Sequence, residues 1–252
     1  MIDLALHAML LPAAVGVCAL LLPRAAWSVE ARRSESPWTA GIAVAVTGVL
    51  ALWASEGNTL FELSERWQRL VLTAGVAGVG GTMLARCGEI ERARVMSCAT
   101  LAVTLTPLVG LGLLRMPMHD TLGHRLSIGV SAALASLIIA RPSVRAPRWT
   151  ALLVALAFAA TAGMLLSVGS SKVAFAAGAL ALVASTAALL VDRRTAFSPG
   201  PAFAMASITM LAAFAVYGVA YQEGDSVPTI AWWFVAFSPL AVIASPTARR
   251  AM

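Results

Sequence analysis

Charge is scarce in this chain. Of its 252 residues, 12% are Asp, Glu, Lys or Arg, about half of the roughly 25% found in ordinary soluble domains. Lysine is nearly missing: Lys172 is the single one, and the other basic residues of the 18 are all arginine. What charge there is leaves long uncharged stretches, and 60% of the residues are hydrophobic. Together these exclude a soluble globular domain and place the chain in the membrane class. Cysteine is sparse too. Cys18, Cys87 and Cys98 form no metal spacing and too small a set for a disulfide framework. They read as structural thiols at or near a reducing inner side. The net charge of +6 does not point to nucleic acid, because the arginines sit in pairs and triplets between apolar runs rather than on one element. Abundant Ala and Arg at the expense of Lys indicate a GC-rich genome, and hence a bacterial inner membrane.

The apolar runs define the architecture. A crossing helix needs about 20 mostly apolar residues. Nine runs qualify, at about 4–22, 38–54, 69–85, 95–114, 123–140, 149–168, 173–191, 201–221 and 229–245. The fold class is therefore an all-α polytopic transmembrane helix bundle with about nine spans and no soluble domain. The first run is not a cleaved signal. Asp3 precedes it and the first arginine, Arg24, follows it, the reverse of a secretory signal.

Arginine sets the orientation. Only Arg66, Arg69, Arg115, Arg125 and Lys172 fall on the side of the N-terminus; the other 13 of the 18 basic residues fall on the opposite side. By the positive-inside rule the N-terminus is outside and the C-terminus cytoplasmic. A gained or lost span would scramble that alternation. The bilayer is the certain partner, and the basic inner side suits anionic headgroups. In the outer loop at 55–69, Thr59 and Glu62 have the spacing of a capping box and predict a short interfacial helix over 60–68, with Trp67 at headgroup level. Trp27, Trp38, Trp53, Trp149, Trp232 and Trp233 fall near span ends, as in an aromatic belt.

A repeat is the most informative pattern. Pro37-Trp38-Thr39-Ala40 opens span two, and Trp149-Thr150-Ala151 opens span six. Ala74-Gly75 and Thr82 answer to Ala177-Gly178 and Thr186; Met96 and Thr100 answer to Met205 and Thr209. Spans five and nine end alike, Ile139-Ala140-Arg141-Pro142 against Ile243-Ala244-Ser245-Pro246. This predicts a first span and inner loop (1–36) followed by repeat A (37–146) and repeat B (147–252), each of four helices. Two copies in one orientation would be related by a pseudo-twofold axis along the membrane normal.

Candidate chemistry is thin. No Asp, Glu, Lys or Arg lies near the middle of a span, which argues against an ordinary proton-coupled pump. A facilitator can instead use hydroxyls. Ser97, Thr100 and Thr104 share one helical face in span four, with Thr106 facing elsewhere. Ser207 and Thr209 lie at the matching depth in span eight, with Tyr217 and Tyr221 further out. The plainer alternative is that these hydroxyls bond to carbonyls of their own helix or glue neighbours together. The run Gly75-Val76-Ala77-Gly78-Val79-Gly80-Gly81 lacks the Lys and Ser/Thr of a phosphate loop and reads as close helix packing. His119, Asp120 and His124 share one outer loop, but their spacing is not that of an established zinc site, so no metal and no cofactor is expected. Three functions follow. The favoured one is a small-molecule or ion permease without intramembrane charge. The alternative is a non-catalytic membrane subunit or scaffold, with a membrane-protein partner or as a homo-oligomer. The third is a lipid-modifying enzyme working through His119, Asp120 and His124.

Overall fold

The computed structural model describes residues 6–26, 39–63, 65–87, 92–114, 121–191, 199–222 and 227–244. The described residues are helical and contain no strand. A π-helical turn, Leu6–Leu10, leads into α1 (Leu11–Ala26). Then come α2 (Thr39–Glu56), α3 (Leu70–Cys87), α4 (Arg92–Gly112), α5 (Leu122–Arg145), α6 (Pro147–Ser167), α7 (Ser171–Leu190), α8 (Gly200–Tyr221) and α9 (Thr229–Phe237). A 3-10 helix, Ser238–Ala244, continues α9. Each helix lies on one of the apolar runs. Five stretches are long and apolar enough to cross a membrane: Thr39–Glu62, Leu122–Ala140, Pro147–Ser167, Ser171–Leu190 and Gly200–Tyr221. At 22 residues, α8 is about 33 Å long, against a hydrocarbon core of about 30 Å. The last helix reaches further than its residue count implies, because the 3-10 segment around Pro239 rises about 2 Å per residue rather than about 1.5 Å.

Chain direction alternates from helix to helix. The end of α2, the starts of α3 and α7, and the ends of α6 and α8 meet at one end of the bundle, around Trp67. The starts of α2 and α8 and the end of α3 meet at the other. There Gly41 and Gly81 bring α2 and α3 so close that a Cβ on Gly81 would lie 2.8 Å from the Gly41 Cα and 3.4 Å from the Ala202 carbonyl oxygen.

The core has an axis, and it is α8. Every residue from Ala202 to Val219 is buried. Around it stand α2, α3, α4, α5, α6 and α9, while α1 and α7 pack outside α2. Alanine dominates the filling, with Ala202, Ala204, Ala206, Ala212, Ala213 and Ala215 all on α8; small side chains let helices approach where hydrophobicity alone gives no drive between them. The outer faces carry exposed leucines and valines, including Leu101, Leu105 and Val109 on α4 and Leu126, Val130 and Leu134 on α5.

The packing of these neighbours does not establish the predicted repeat. In the first set α3 packs on α4, whereas the corresponding α7 and α8 are not packed neighbours; α6 instead packs on α7, α8 and α9 at once. Across the sets, among the described residues, α2 packs on α7 and α3 on α8, without comparable α6–α3 and α7–α4 packing.

The interfacial segment also differs from expectation. It is two short 3-10 helices, Gly57–Glu62 and Arg66–Arg69, separated at Leu63 by a left-handed backbone (φ 50°). Thr59 therefore sits inside the first helix, donating its hydroxyl to the Glu56 carbonyl at 2.9 Å rather than capping. The reciprocal cap forms one turn later, between Glu65 and Gln68, where the Glu65 N–H donates to Gln68 Oε1 at 3.0 Å.

Candidate functional site

The hydroxyl face of α4 points outward. Thr100 is exposed, and Thr104 donates to the Thr100 carbonyl at 2.8 Å. The backbone of Ser97 is helical, and its side chain lies outside what is described. The α4 hydroxyl that does face the interior is Thr106, which donates to Ala102 O at 2.7 Å and lies against Gly80 of α3. On α8, Ser207 and Thr209 are fully buried. Thr209 donates to Met205 O at 2.9 Å, whereas Ser207 Oγ has no hydrogen-bond partner among the described residues. Thr100 and Thr104 thus lie on the outside of the bundle and Ser207 and Thr209 on its axis, so the two sets do not converge. His119 and Asp120 lie outside the described residues. His124 is exposed at the start of α5 and shares a 2.7 Å hydrogen bond with Thr121 Oγ1. Of the tryptophans, Trp53 and Trp149 are exposed at helix ends, while Trp67 and Trp232 turn inward; Trp27 and Trp38 lie outside the described residues.

The structure does gather polar and aromatic groups, at the Trp67 end. A pocket of about 310 Å³ is lined by Trp67, residues 168–173 of the α6–α7 hairpin, Tyr217 and Tyr221. Each group has a local reason to be there. Gly169, at φ +79°, lets the hairpin turn within a few residues, and the turn presents Ser170 and Lys172 to the end of α8. Tyr217 and Tyr221 are one helical turn apart and stack with ring centroids 4.7 Å apart. The Ser170 and Tyr217 hydroxyls share a 2.7 Å hydrogen bond. Trp67 is held by its indole N–H to the Glu65 carboxylate. Lys172 pairs with Glu56 across the bundle end and places its ammonium 5.9 Å from the Trp67 ring centroid, within cation–π range.

Beneath this pocket α8 is closed by aromatics. Phe214 lies one turn below Tyr217 and meets Phe158 of α6 edge to face, at 6.2 Å and 74°. On the neighbouring side, Trp232 of α9 lies flat over Gly218, where a Cβ would come within 2.4 Å of the indole; its N–H donates to Gln222 Oε1 at 3.1 Å. Three of the lining groups stood out in the sequence for other reasons: Trp67 as a residue at headgroup level, Lys172 as the lone lysine, Tyr217 as lying further out on span eight than Ser207 and Thr209. Their convergence depends on tertiary packing of segments about 45 to 150 residues apart, which no local spacing encodes. No protein-family model, curated protein or solved structure matches the chain.

Proposed function

We propose that the chain is a multi-pass permease of a bacterial inner membrane that carries a small uncharged polar solute, with the Trp67–Ser170–Tyr217 pocket as its outer vestibule. The observation that carries this reading is the order of groups along α8. The vestibule lies at its end, the Phe158–Phe214 pair closes it one turn below, and Ser207 and Thr209 sit deeper, Thr209 about 12 Å below Tyr217. Polar groups at two depths with an aromatic closure between them are what a gated path needs. An unpaired buried hydroxyl at Ser207 keeps hydrogen-bonding capacity that a solute would use. The lack of charge along α8 fits a neutral solute better than an ion.

The same reading takes all nine helices as crossings, with the N-terminus outside and the C-terminus inside. The alternation of helix direction and the arginine bias support it. The test is osmotic reswelling of proteoliposomes challenged with a panel of neutral solutes, from glycerol to hexoses. Faster reswelling with a subset of solutes than in protein-free liposomes, slowed by Tyr217→Phe, is the expected result. Equal rates with and without protein for every solute would sink the proposal.

The second reading is a non-catalytic subunit or scaffold, and one observation favours it. Thr100 and Thr104 form a polar stripe on the outside of α4, of the kind helices use to bind one another in lipid. Native mass spectrometry after mild extraction separates the two: a stoichiometric second polypeptide points to the subunit.

A further inference from the structure

The α6–α7 hairpin is tied down on two sides, with the pocket between the ties. Toward α8, the Ser170 hydroxyl shares its 2.7 Å hydrogen bond with Tyr217. Toward α2, Lys172 on the first turn of α7 pairs with Glu56, the last residue of α2. This second tie joins residues 116 positions apart. It also carries the ammonium over the Trp67 ring, 5.9 Å from the centroid. Trp67, Ser170 and Lys172 all line the pocket, so the Lys172 side chain reaches from the hairpin wall to the Trp67 wall. Trp67, Val173 and Tyr217 line the pocket yet are only 7%, 1% and 7% exposed, the exposure of groups behind a closed mouth.

The two ties differ in what releases them. The Ser170–Tyr217 bond joins neutral, partly buried hydroxyls. The ionic tie is asymmetric: the Glu56 side chain is 14% exposed and that of Lys172 is 51% exposed. The carboxylate is a covered socket, and the ammonium is a plug that water reaches. An ion pair in contact with water and a cation–π contact near the surface are each weak, so this tie holds without locking. The hairpin also has the hinge such a tie needs. Gly169, at φ +79°, has nothing within 4 Å of where a Cβ would stand, so the turn is not wedged against a neighbour.

We infer that Lys172 is a strap across the mouth of the pocket. Seated between Glu56 and Trp67, it closes the pocket toward the outer solution; released, it admits a solute to Ser170 and Tyr217. The inference rests on reading that pocket as an outer vestibule, and it adds the residue that controls entry.

The test is the reaction of a thiol inside the pocket with two water-soluble methanethiosulfonate reagents, one cationic and one anionic, neither of which crosses a membrane. The reporter is Val173→Cys in the full chain, with the native cysteines replaced by serine, labelled in intact cells. Glu56→Gln breaks the tie without touching the hairpin and raises the rate with both reagents about fivefold or more. Lys172→Met does the same. Exchanging the pair, Glu56→Lys with Lys172→Glu, brings the rate back to within about twofold of the parent. Opposite changes with the two reagents mean that only the local field has changed, and they overturn the strap. Unchanged rates in Glu56→Gln overturn it too, as does an exchanged pair that fails to restore the rate. An equal rise at Ala184→Cys, fully buried in the middle of α7, is general loosening and has the same consequence. Osmotic reswelling keeps the two readings apart. Labelling that responds while no solute moves leaves the strap standing and refutes the permease; solute movement with labelling that never responds refutes the strap alone.

Discussion

The glycine run of α3 gives the sharpest test of the packing, because its members have different surroundings. A Cβ on Gly75 meets nothing within 4 Å, whereas one on Gly81 would lie 2.8 Å from the Gly41 Cα. Carbon atoms sit comfortably at about 3.5–4.0 Å, so Gly81→Ala must push α2 and α3 apart by roughly 1 Å. Both helices also pack on α8, and α8 has no free face to retreat toward. Overpacking of this kind costs about 1–3 kcal/mol. Gly75→Ala instead gains the helix preference of alanine, about 0.5–1 kcal/mol. Thermal unfolding in a mild detergent, followed by helical circular dichroism, reads both. At about 2–4 °C per kcal/mol, Gly75→Ala raises the midpoint by a few degrees and Gly81→Ala lowers it by several. Equal effects of the two substitutions, or a neutral Gly81→Ala, would refute the close approach of α2 and α3.

Other outcomes follow from single contacts. Thr73→Val removes the buried hydrogen bond from Thr73 Oγ1 to the Gly110 carbonyl of α4, 2.8 Å long, and lowers stability by about 1 kcal/mol in the same assay. Phe158→Ala empties a site that is 1% exposed and costs about 3–5 kcal/mol; Phe158→Leu recovers more than half of that loss. In a background with the native cysteines replaced by serine, Asn58→Cys reacts with a membrane-impermeant maleimide added to intact cells, and Arg148→Cys reacts only after permeabilisation. Both positions are exposed, so the reverse pattern would invert the proposed topology.

The helices were legible because each apolar run is bounded by residues that stop helices or resist burial. Pro147 opens α6, Gly169 ends the hairpin turn, and Pro199 with Gly200 opens α8. Which face of each helix turns inward was not legible. In α4, Thr100 and Thr104 alternate with leucines on the outside, while Thr106 faces the core. In lipid both faces of a helix are apolar, so periodicity carries little information about burial. The interfacial cap was missed because Glu65 is an unusual capping residue and because Leu63 adopts a left-handed backbone that leucine seldom takes. The pocket at the Trp67 end was invisible for a different reason. Trp67, Ser170 and Tyr217 come from three separate elements, and only the hairpin at Gly169 hints that two helix ends must meet there.

The enclosure of α8 also bears on how the protein is made. Helices enter the membrane in the order of synthesis, and α8 follows five of the helices it packs against, α2 to α6. Until residues 200–221 insert, those helices surround no axis, and the faces that later close on Ala202–Val219 are covered only by lipid or by each other. Such an intermediate is the stage at which a proteolytic surveillance system would recognise the chain. A ribosome-stalled chain ending near Leu190 should be cut by protease within its membrane-flanking loops far faster than one extended through Tyr221, and a shared cleavage rate would mean that the first seven helices close upon themselves.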